Sequence, residues 1–270
     1  MKFDLFISDY DGTLGEAPIN NIDGQTLQAI NKFIDKGGKF VVCSGRETTS
    51  ITKILKEHGL KGDVVSFQGA RISDIESGQT ILDGGLSVEK TIEVLSAVEK
   101  YKELTALCYG ENDFFYDSKN LYVERYEKAI RLEGRVTDVK KEVAKNNRKV
   151  FKIIWLGENE LVNKVADEMN DIYKGQGVVF NSGGKCLLEA INPEYSKGHA
   201  VKYIAKKYGI PLERVITVGD STNDIALIKG EWHGVAVGDG RDELKAVAKE
   251  ITVPFSEKPV KTLLEKYCLD

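Results

Sequence analysis

Residues 3–14 of the chain read Phe3-Asp4-Leu5-Phe6-Ile7-Ser8-Asp9-Tyr10-Asp11-Gly12-Thr13-Leu14. The apolar part of this segment predicts a buried β-strand that ends at two acids, Asp9 and Asp11. Acids at the carboxyl end of a strand lie where open α/β sheets bind their ligands. Two neighbouring carboxylates favour the binding of a cation between them. Mg²⁺ is usually coordinated by one or two carboxylates together with water and substrate phosphate. A carboxylate beside this metal is also able to attack phosphorus and form an aspartyl-phosphate.

The Asp-x-Asp-Gly pattern also occurs in EF-hand loops and in plain polar turns. An EF-hand needs a helix before its loop and a closing Glu at the twelfth loop position. Here an apolar strand precedes the acids, and Asn20 stands at that position. The sequence therefore disfavours a calcium loop, while a polar turn stays open unless other parts of the chain supply the remaining chemistry.

Two further segments supply groups that bind phosphate. The apolar run from Lys39 to Cys43 leads directly into Ser44-Gly45-Arg46, where a hydroxyl and backbone amides at a helix start are able to hold a phosphate. A capping serine at an ordinary strand-to-helix turn is the alternative. Lys197 opens a predicted helix and would neutralise the nucleophile and the transferred group. By itself, a lysine in a chain with this many lysines indicates a solvated surface charge, and only its position before the next motif favours a role in the site.

A third apolar strand, from Val215 to Gly219, ends in Asp220-Ser221-Thr222-Asn223-Asp224. Asp220 is placed to complete a metal site, while Asn223 and Asp224 lie where their side chains can reach phosphate, water or Lys197. A helix cap with a solvated first turn would explain the same residues. The order of the four motifs along the chain favours one catalytic site over four unrelated turns.

These four motifs resemble those of the haloacid dehalogenase (HAD) superfamily, and the resemblance covers nearly the whole chain. It points to the Cof-like branch, Mg²⁺-dependent phosphatases of small phosphorylated metabolites. It implies an α/β fold with a Rossmann-like parallel-sheet core and an inserted α+β cap domain of the large second type (C2B-like). It also implies a nucleophile, Asp9, and a general acid/base, Asp11. The resemblance further implies that Asp9, Asp11 and Asp220 bind the metal and that Ser44 and Lys197 bind phosphate. The positions of the other candidates beside these motifs predict that Gly45, Arg46 and Asn223 bind phosphate or substrate and that Asp224 supports the site.

The chain departs from the family pattern at two places. Many relatives carry Asn-Gly-Ala after the third strand, where this chain has Gln68-Gly69-Ala70. The usual Asn after Val-Ala-Met-Gly is also replaced, here by Asp239. We expect the first change to alter substrate contacts and the second to add an acid near the site. Neither removes a catalytic group.

Strands and helices alternate up to Phe67, as in a parallel sheet with helical crossovers. After a short hairpin the pattern changes to strands and helices without this alternation, including helical stretches from Leu121 to Lys145. The sequence therefore predicts a catalytic core from residues 1–83 and 190–270, and an inserted cap from residues 84–189. Gly84-Gly85 and Asn192-Pro193 are the predicted hinges.

Composition narrows the class of protein. The 270 residues are 41% hydrophobic and 30% charged, enough for a large core and an inserted domain. A net charge of −4 disfavours a broad nucleic-acid surface. No apolar run approaches a membrane span, and an apolar strand follows Met1 too soon for a signal peptide. We expect a cytoplasmic protein with reduced thiols at Cys43, Cys108, Cys186 and Cys268.

The expected activity is hydrolysis of phosphate monoesters, with sugar phosphates as the favoured substrates. A sugar phosphomutase on the same core and a catalytically silent binding or regulatory protein are the alternatives, because a fold alone does not choose among them. Substrate contacts are open, with Arg46, Gln68, Asn181 and Lys185 as candidates. The oligomeric state is open as well.

Overall fold

The structure, a computed structural model, describes residues 1–15, 19–145, 147–182 and 186–269. The chain divides into two compact units: unit 1 comprises Met1–Asp83 and Tyr195–Asp270, and unit 2 comprises Gly84–Glu194. The return to unit 1 lies at residues 194/195, whereas the sequence placed it at 189/190. The difference arises because the last strand of unit 2 continues to Ile191 in the sheet of that unit.

The regular elements are numbered here along the chain. The strands are β1 (Leu5–Ser8), β2 (Lys39–Cys43), β3 (Asp63–Ser66), β4 (Arg71–Asp74), β5 (Thr80–Asp83), β6 (Thr105–Tyr109), β7 (Phe114–Tyr116), β8 (Arg135–Val136), β9 (Lys152–Leu156), β10 (Val179–Ser182), β11 (Leu187–Ile191), β12 (Val215–Gly219), β13 (His233–Ala236) and β14 (Glu250–Ile251). The helices are α1 (Gly24–Asp35), α2 (Thr48–Glu57), α3 (Val88–Val98), α4 (Leu121–Ile130), α5 (Val139–Lys145), α6 (Asn159–Ile172), α7 (Lys197–Tyr208), α8 (Ile225–Ile228), α9 (Asp242–Lys245) and α10 (Pro259–Leu264).

The described strands of unit 1 form a sheet in the order β14-β13-β12-β1-β2-β3-β4-β5. The first six strands of this order run parallel, and the hairpin β4–β5 is added antiparallel at one edge. This arrangement confirms the predicted α/β class with a parallel sheet. Strand β1 lies between β12 and β2, so the carboxyl ends of these three strands meet at one edge. The residues that follow them, Asp9, Asp220 and Ser44, are thereby brought to the same edge.

Helices cover both faces of this sheet because its strands are apolar on both sides, as parallel strands usually are. Every residue of β1 and of β12 is buried. On one face Ile30 and Phe33 of α1 pack in a cluster with the side chains of Phe6 and Val42. Helix α7 belongs to the cluster on the other face. The two helical layers fix the strand ends that carry the acids.

Two side chains fix where the helices α1 and α7 begin. Asp23 accepts hydrogen bonds from the backbone of Gln25 and Thr26 at the start of α1. Ser196 accepts one from the backbone of His199, at 3.2 Å, at the start of α7. Caps of this kind satisfy amides that have no partner within the helix. The second cap sets Lys197 as the first residue of α7.

Unit 2 has its own sheet, in the order β10-β11-β9-β6-β7-β8 among the described strands. All neighbours are antiparallel except β7 and β8, and α3, α5 and α6 pack on one apolar cluster. The predicted helical stretches up to Lys145 are the two helices α4 and α5, separated by β8. Strand β8 consists of only two residues, both exposed, and is therefore too short to give an alternating pattern in the sequence.

Among the helices of the described residues, none combines the length and the apolar character that crossing a membrane would require.

Candidate active site

Asp9, at the carboxyl end of β1, is the centre of a buried ion cluster. Its backbone N–H continues the β1–β12 ladder by donating to the carbonyl oxygen of Val218 at 2.9 Å. Its Oδ1 accepts a hydrogen bond from Lys197 Nζ at 2.6 Å, and the same Nζ donates to Asp224 Oδ1 at 2.6 Å. The Lys197 side chain is 1% exposed, so both contacts are shielded from water. One buried cation therefore serves two buried carboxylates.

The charges of this cluster shift the pKa values of its members. Burial raises the pKa of Asp9, and the neighbouring Asp224 carboxylate raises it further, against the lowering influence of Lys197. Burial by itself lowers the pKa of Lys197, but Asp224 and Asp9 outweigh this effect and raise it. Burial, together with Asp224, raises the pKa of Asp220 to about 6. The three carboxylates carry more negative charge than Lys197 neutralises, which favours a further cation.

The donor set is able to hold a metal ion. Asp9, Asp220 and Asp224 each offer a carboxylate oxygen, and these oxygens lie within 4.8 Å of one another. Such hard oxygen ligands are those that Mg²⁺ prefers. Asp220 Oδ1 accepts from Thr13 Oγ1 at 3.1 Å. Gly12 lies directly against the Asp220 carboxylate, and the Cβ of any larger residue at this position would clash with that carboxylate.

Both oxygens of Asp224 are already engaged. Oδ1 accepts from Lys197, and Oδ2 accepts from the backbone N–H groups of Asp220 and Ser221, at 3.2 and 3.1 Å. Asp224 thus anchors the loop that carries Asp220 as well as the cation beside Asp9. Among the described residues, no donor engages the second oxygen of Asp9 or of Asp220, so these two acids offer the better metal ligands.

Asp11 lies two residues beyond Asp9 but has different partners. Arg46 holds its carboxylate with two parallel hydrogen bonds, from Nε to Oδ2 at 2.8 Å and from Nη2 to Oδ1 at 2.6 Å. The Asp11 side chain is 44% exposed, in contrast to Asp9. Burial by itself lowers the pKa of Arg46, but its hydrogen bonds to Asp11 outweigh this and raise it.

Arg46 is itself fixed from two sides. Its Nη1 donates to Asn20 Oδ1 at 2.8 Å, and its guanidinium lies 4.9 Å from the ring centre of Tyr10. Its backbone N–H donates to the hydroxyl oxygen of Ser44 at 3.1 Å. The Arg46 side chain therefore points at Asp11 from a preorganised position.

Ser44 and Gly45 form the turn between β2 and α2. Ser44 is buried, and its backbone N–H continues the sheet by donating to Val65 O at 2.9 Å. Gly45 lies beneath the side-chain amide of Gln68, which occupies the space that a Cβ at residue 45 would need. Asn223 Nδ2 donates to Gln68 Oε1 at 3.4 Å. The structure thus links the Ser44–Gly45 turn to the β12 loop through one side chain.

The remaining candidates lie elsewhere or outside the described residues. Asn181 is exposed on β10 of unit 2, and Lys185 falls outside the described part of the chain. Asp239 Oδ1 accepts from the backbone N–H of Phe255 at 2.9 Å, so this acid supports a turn. Sequence reasoning missed Thr13, although it belongs to the first motif. It also missed Asn20, for which the sequence carries no signal.

The chain is similar to several known proteins. The sequence profile of the haloacid dehalogenase-like hydrolases matches residues 6–264. Phosphatase YwpJ of Bacillus subtilis is 25% identical over 285 residues, covering 97% of this chain and 98% of the relative. From the same organism, 5-amino-6-(5-phospho-D-ribitylamino)uracil phosphatase YitU is 24% identical over 97% of each chain. A haloacid dehalogenase-like hydrolase structure from Bacteroides thetaiotaomicron has a TM-score of 0.84 at 24% identity, over 98% of this chain and 99% of that chain.

The fold is that of an α/β protein with a Rossmann-like core. Because the profile spans nearly all of the sequence, the chain belongs to the haloacid dehalogenase-like hydrolase family. The predicted HAD membership in the Cof-like branch and the prediction of an enzyme of the phosphatase type are confirmed. The likeness to the solved structure shows that the fold is shared.

Lys197→Met is expected to destabilise the protein in metal-free buffer, because Asp9 and Asp224 would stay buried without their shared cation. Removing one partner of a buried ion pair costs about 3–5 kcal/mol. The free energy of unfolding in urea measures this loss. Lys202→Met, on the exposed side of the same helix, is the matched control and should change it by less than about 0.5 kcal/mol. Equal stability of the two variants would contradict the assignment of Lys197 as the central counter-ion.

Proposed function

We propose that the chain is a Mg²⁺-dependent phosphatase that hydrolyses phosphate monoesters of small metabolites through an aspartyl-phosphate on Asp9. The observation that carries this proposal is the buried contact of Asp9 Oδ1 with Lys197 Nζ at 2.6 Å. This contact orients the carboxylate and leaves its second oxygen free of hydrogen bonds from the described residues. A carboxylate held in this way is suited to nucleophilic attack.

In the first step, the free oxygen of Asp9 attacks phosphorus in line with the ester oxygen. A bond forms between Asp9 and phosphorus as the bond to the leaving oxygen breaks. Asp11 donates a proton to that oxygen, so the product leaves as an alcohol. Lys197 stays beside Asp9 and offsets negative charge where the phosphoryl group arrives. Ser44 and Gly45 contribute a hydroxyl and a backbone N–H for the phosphoryl oxygens.

In the second step, Asp11 acts as a base. Its carboxylate takes a proton from a water molecule, whose oxygen attacks phosphorus and releases inorganic phosphate from Asp9. The exposure of Asp11 suits this role, because it must reach both the leaving group and water. Arg46 holds the Asp11 carboxylate in one orientation between the two steps. Acid/base transfer by a positioned group contributes roughly 10²–10⁴ to the rate.

The residues that would hold Mg²⁺ are Asp9 and Asp220, with the backbone carbonyl oxygen of Asp11 as a further ligand and Asp224 in support. The ion would supply positive charge that offsets repulsion between these acids and a phosphate dianion. Thr13 and Asp224 already fix the Asp220 side chain and backbone for this purpose.

We propose sugar phosphates as the substrate class and unit 2 as the element that selects among them. The relative YitU is named for a substrate whose phosphate is on a ribityl chain, which supports a polyol or sugar leaving group. All the proposed catalytic groups belong to unit 1, which leaves unit 2 without a part in the chemistry and supports substrate selection as its role. The sequence and the composition support a cytoplasmic location.

Asp9→Asn is expected to abolish phosphate release and to form no phosphoenzyme, because the attacking oxygen is lost. Asp11→Asn should lower the turnover rate by roughly 10²–10⁴, with substrate binding little changed. Phosphate release from a sugar-phosphate panel and the mass of the acid-quenched protein measure these effects. Asp35→Asn, an exposed acid at the end of α1, is the control.

The same assay separates the proposed phosphatase from its alternatives. A phosphatase releases phosphate without any sugar bisphosphate, a mutase requires one and releases little, and a silent protein releases none. Substantial phosphate release by purified Asp9→Asn protein would overturn the assignment of the nucleophile.

EDTA is expected to silence the enzyme reversibly, and Asp220→Asn should weaken Mg²⁺ binding. We expect the Mg²⁺ affinity to fall by at least about 10-fold, because removing even a group that only supports a metal ligand lowers the affinity by this factor. Titration calorimetry with Mg²⁺ measures the affinity, and thermal unfolding checks the fold. Asp239→Asn is the control, because Asn keeps the oxygen that accepts from Phe255. Normal Mg²⁺ affinity in Asp220→Asn protein, or full activity without metal, would contradict the proposed site.

Replacing residues 84–194 by a Gly/Ser linker is expected to retain slow hydrolysis of p-nitrophenyl phosphate and to lose discrimination among sugar phosphates. The reason is that the proposed nucleophile, acid/base and metal ligands all lie in unit 1. Circular dichroism and Mg²⁺ titration establish that the shortened protein is folded. If the folded variant still ranks its substrates as the full chain does, unit 2 does not determine specificity.

A further inference from the structure

The turn after β3 has an unusual backbone. Phe67, Gln68 and Gly69 have φ angles of 50°, 59° and 107°. Positive φ is natural for Gly69 but uncommon for other residues, and it is a clear outlier for a bulky aromatic one. Backbone strain of this kind persists only where surrounding structure enforces it, and it clusters at functional sites. The contacts of the turn show what holds it.

The turn is bound to the Ser44–Arg46 segment by its backbone. Phe67 N donates to Arg46 O at 2.9 Å, and Gln68 N donates to Ser44 O at 3.1 Å. On its other side, Gly69 lies so close to the backbone at the start of α7 that a Cβ would overlap Ser196 O. The strained turn therefore lies between the proposed phosphate turn and the helix start that carries Lys197.

The strain directs one side chain into the site. Gln68 is half-buried, and its amide lies on Gly45, where its Nε2 is too close to leave room for a Cβ at residue 45. Its Oε1 accepts from Asn223 at 3.4 Å. Within the described residues no acceptor engages Nε2. A neutral amide with unused donors thus bridges two loops that are proposed to bind phosphate.

We propose that Gln68 binds the phosphoryl group of the substrate, with Nε2 donating to a phosphoryl oxygen and Oε1 holding Asn223 in place. This inference rests on the proposed function and names a further ligand of that site. An amide nitrogen donates to phosphate oxygens, and its position over Gly45 requires the full length of Gln. An Asn at this position is shorter by one methylene, so its amide would end short of Gly45.

The test compares Gln68→Glu, Gln68→Gly and the wild type. Glu keeps the length of the side chain but replaces the donor by a repelling carboxylate. Gly removes the amide and accepts a φ of 59° without strain. The readouts are the dissociation constant of inorganic phosphate with saturating Mg²⁺, measured by calorimetry, the KM and kcat for p-nitrophenyl phosphate, and the midpoint of thermal unfolding.

Gln68→Glu is expected to raise the phosphate dissociation constant and KM together by roughly 10- to 100-fold, the usual value of a hydrogen bond to a charged group. Gln68→Gly should weaken phosphate binding by roughly 10-fold, with kcat less affected and an unfolding midpoint no lower than that of the wild type.

Two results overturn the inference. A phosphate dissociation constant within twofold of the wild-type value in both variants would show that Gln68 does not bind phosphate. A lower unfolding midpoint in Gln68→Gly with unchanged phosphate binding shows a purely structural residue. The wild type serves as the separate check on the proposed function. If it neither binds phosphate nor hydrolyses any ester, the proposed function fails, and the inference fails with it. If the wild type does both, the results for the two Gln68 variants decide whether Gln68 binds the phosphoryl group.

Discussion

A single buried ammonium group determines how the acids of this site are arranged. Lys197 Nζ contacts Asp9 and Asp224 at 2.6 Å each, with almost no exposure to water. Charges buried in this way are stable only when they are paired and hydrogen-bonded. Asp224 uses its other oxygen to hold two backbone amides of the β12 loop, so the position of Asp220 follows from the same ion cluster. Asp9, its counter-ion Lys197 and the loop that carries Asp220 are one interdependent unit.

The two acids of the first motif show how environment separates identical side chains. Asp9 is buried against a lysine, and Asp11 is partly exposed against an arginine. Opposed environments of this kind assign different roles to two carboxylates. Lysine provides a compact charge that fits within the buried cluster. Arginine provides two parallel hydrogen bonds that fix the plane of a carboxylate in contact with water.

Much of this arrangement was predictable from the sequence, and the parts that were not predictable have physical reasons. Buried parallel strands read as apolar runs, so the acids at the ends of β1 and β12 could be located and ordered. The pairing of Arg46 with Asp11 could not, because it joins side chains 35 positions apart without any periodicity. Asp224 had several possible partners in the sequence, and the packing of α7 against α8 brings Lys197 to it. The strand β8 was missed because two residues carry no pattern.

The order of these parts along the chain bears on how the protein is made. Strand β1 pairs on one side with β2 and on the other with β12, which is translated only after the whole of unit 2. Unit 2 is one continuous segment and is complete before Lys197 leaves the ribosome. Domains generally fold as units during synthesis. The inserted unit therefore has the opportunity to fold first, while Asp9 must wait for both its neighbouring strand and its counter-ion. In a nascent chain, the half-made sheet leaves one edge of the apolar strand β1 unpaired. An unpaired apolar edge is a template for aggregation, so the polypeptide needs protection in this interval.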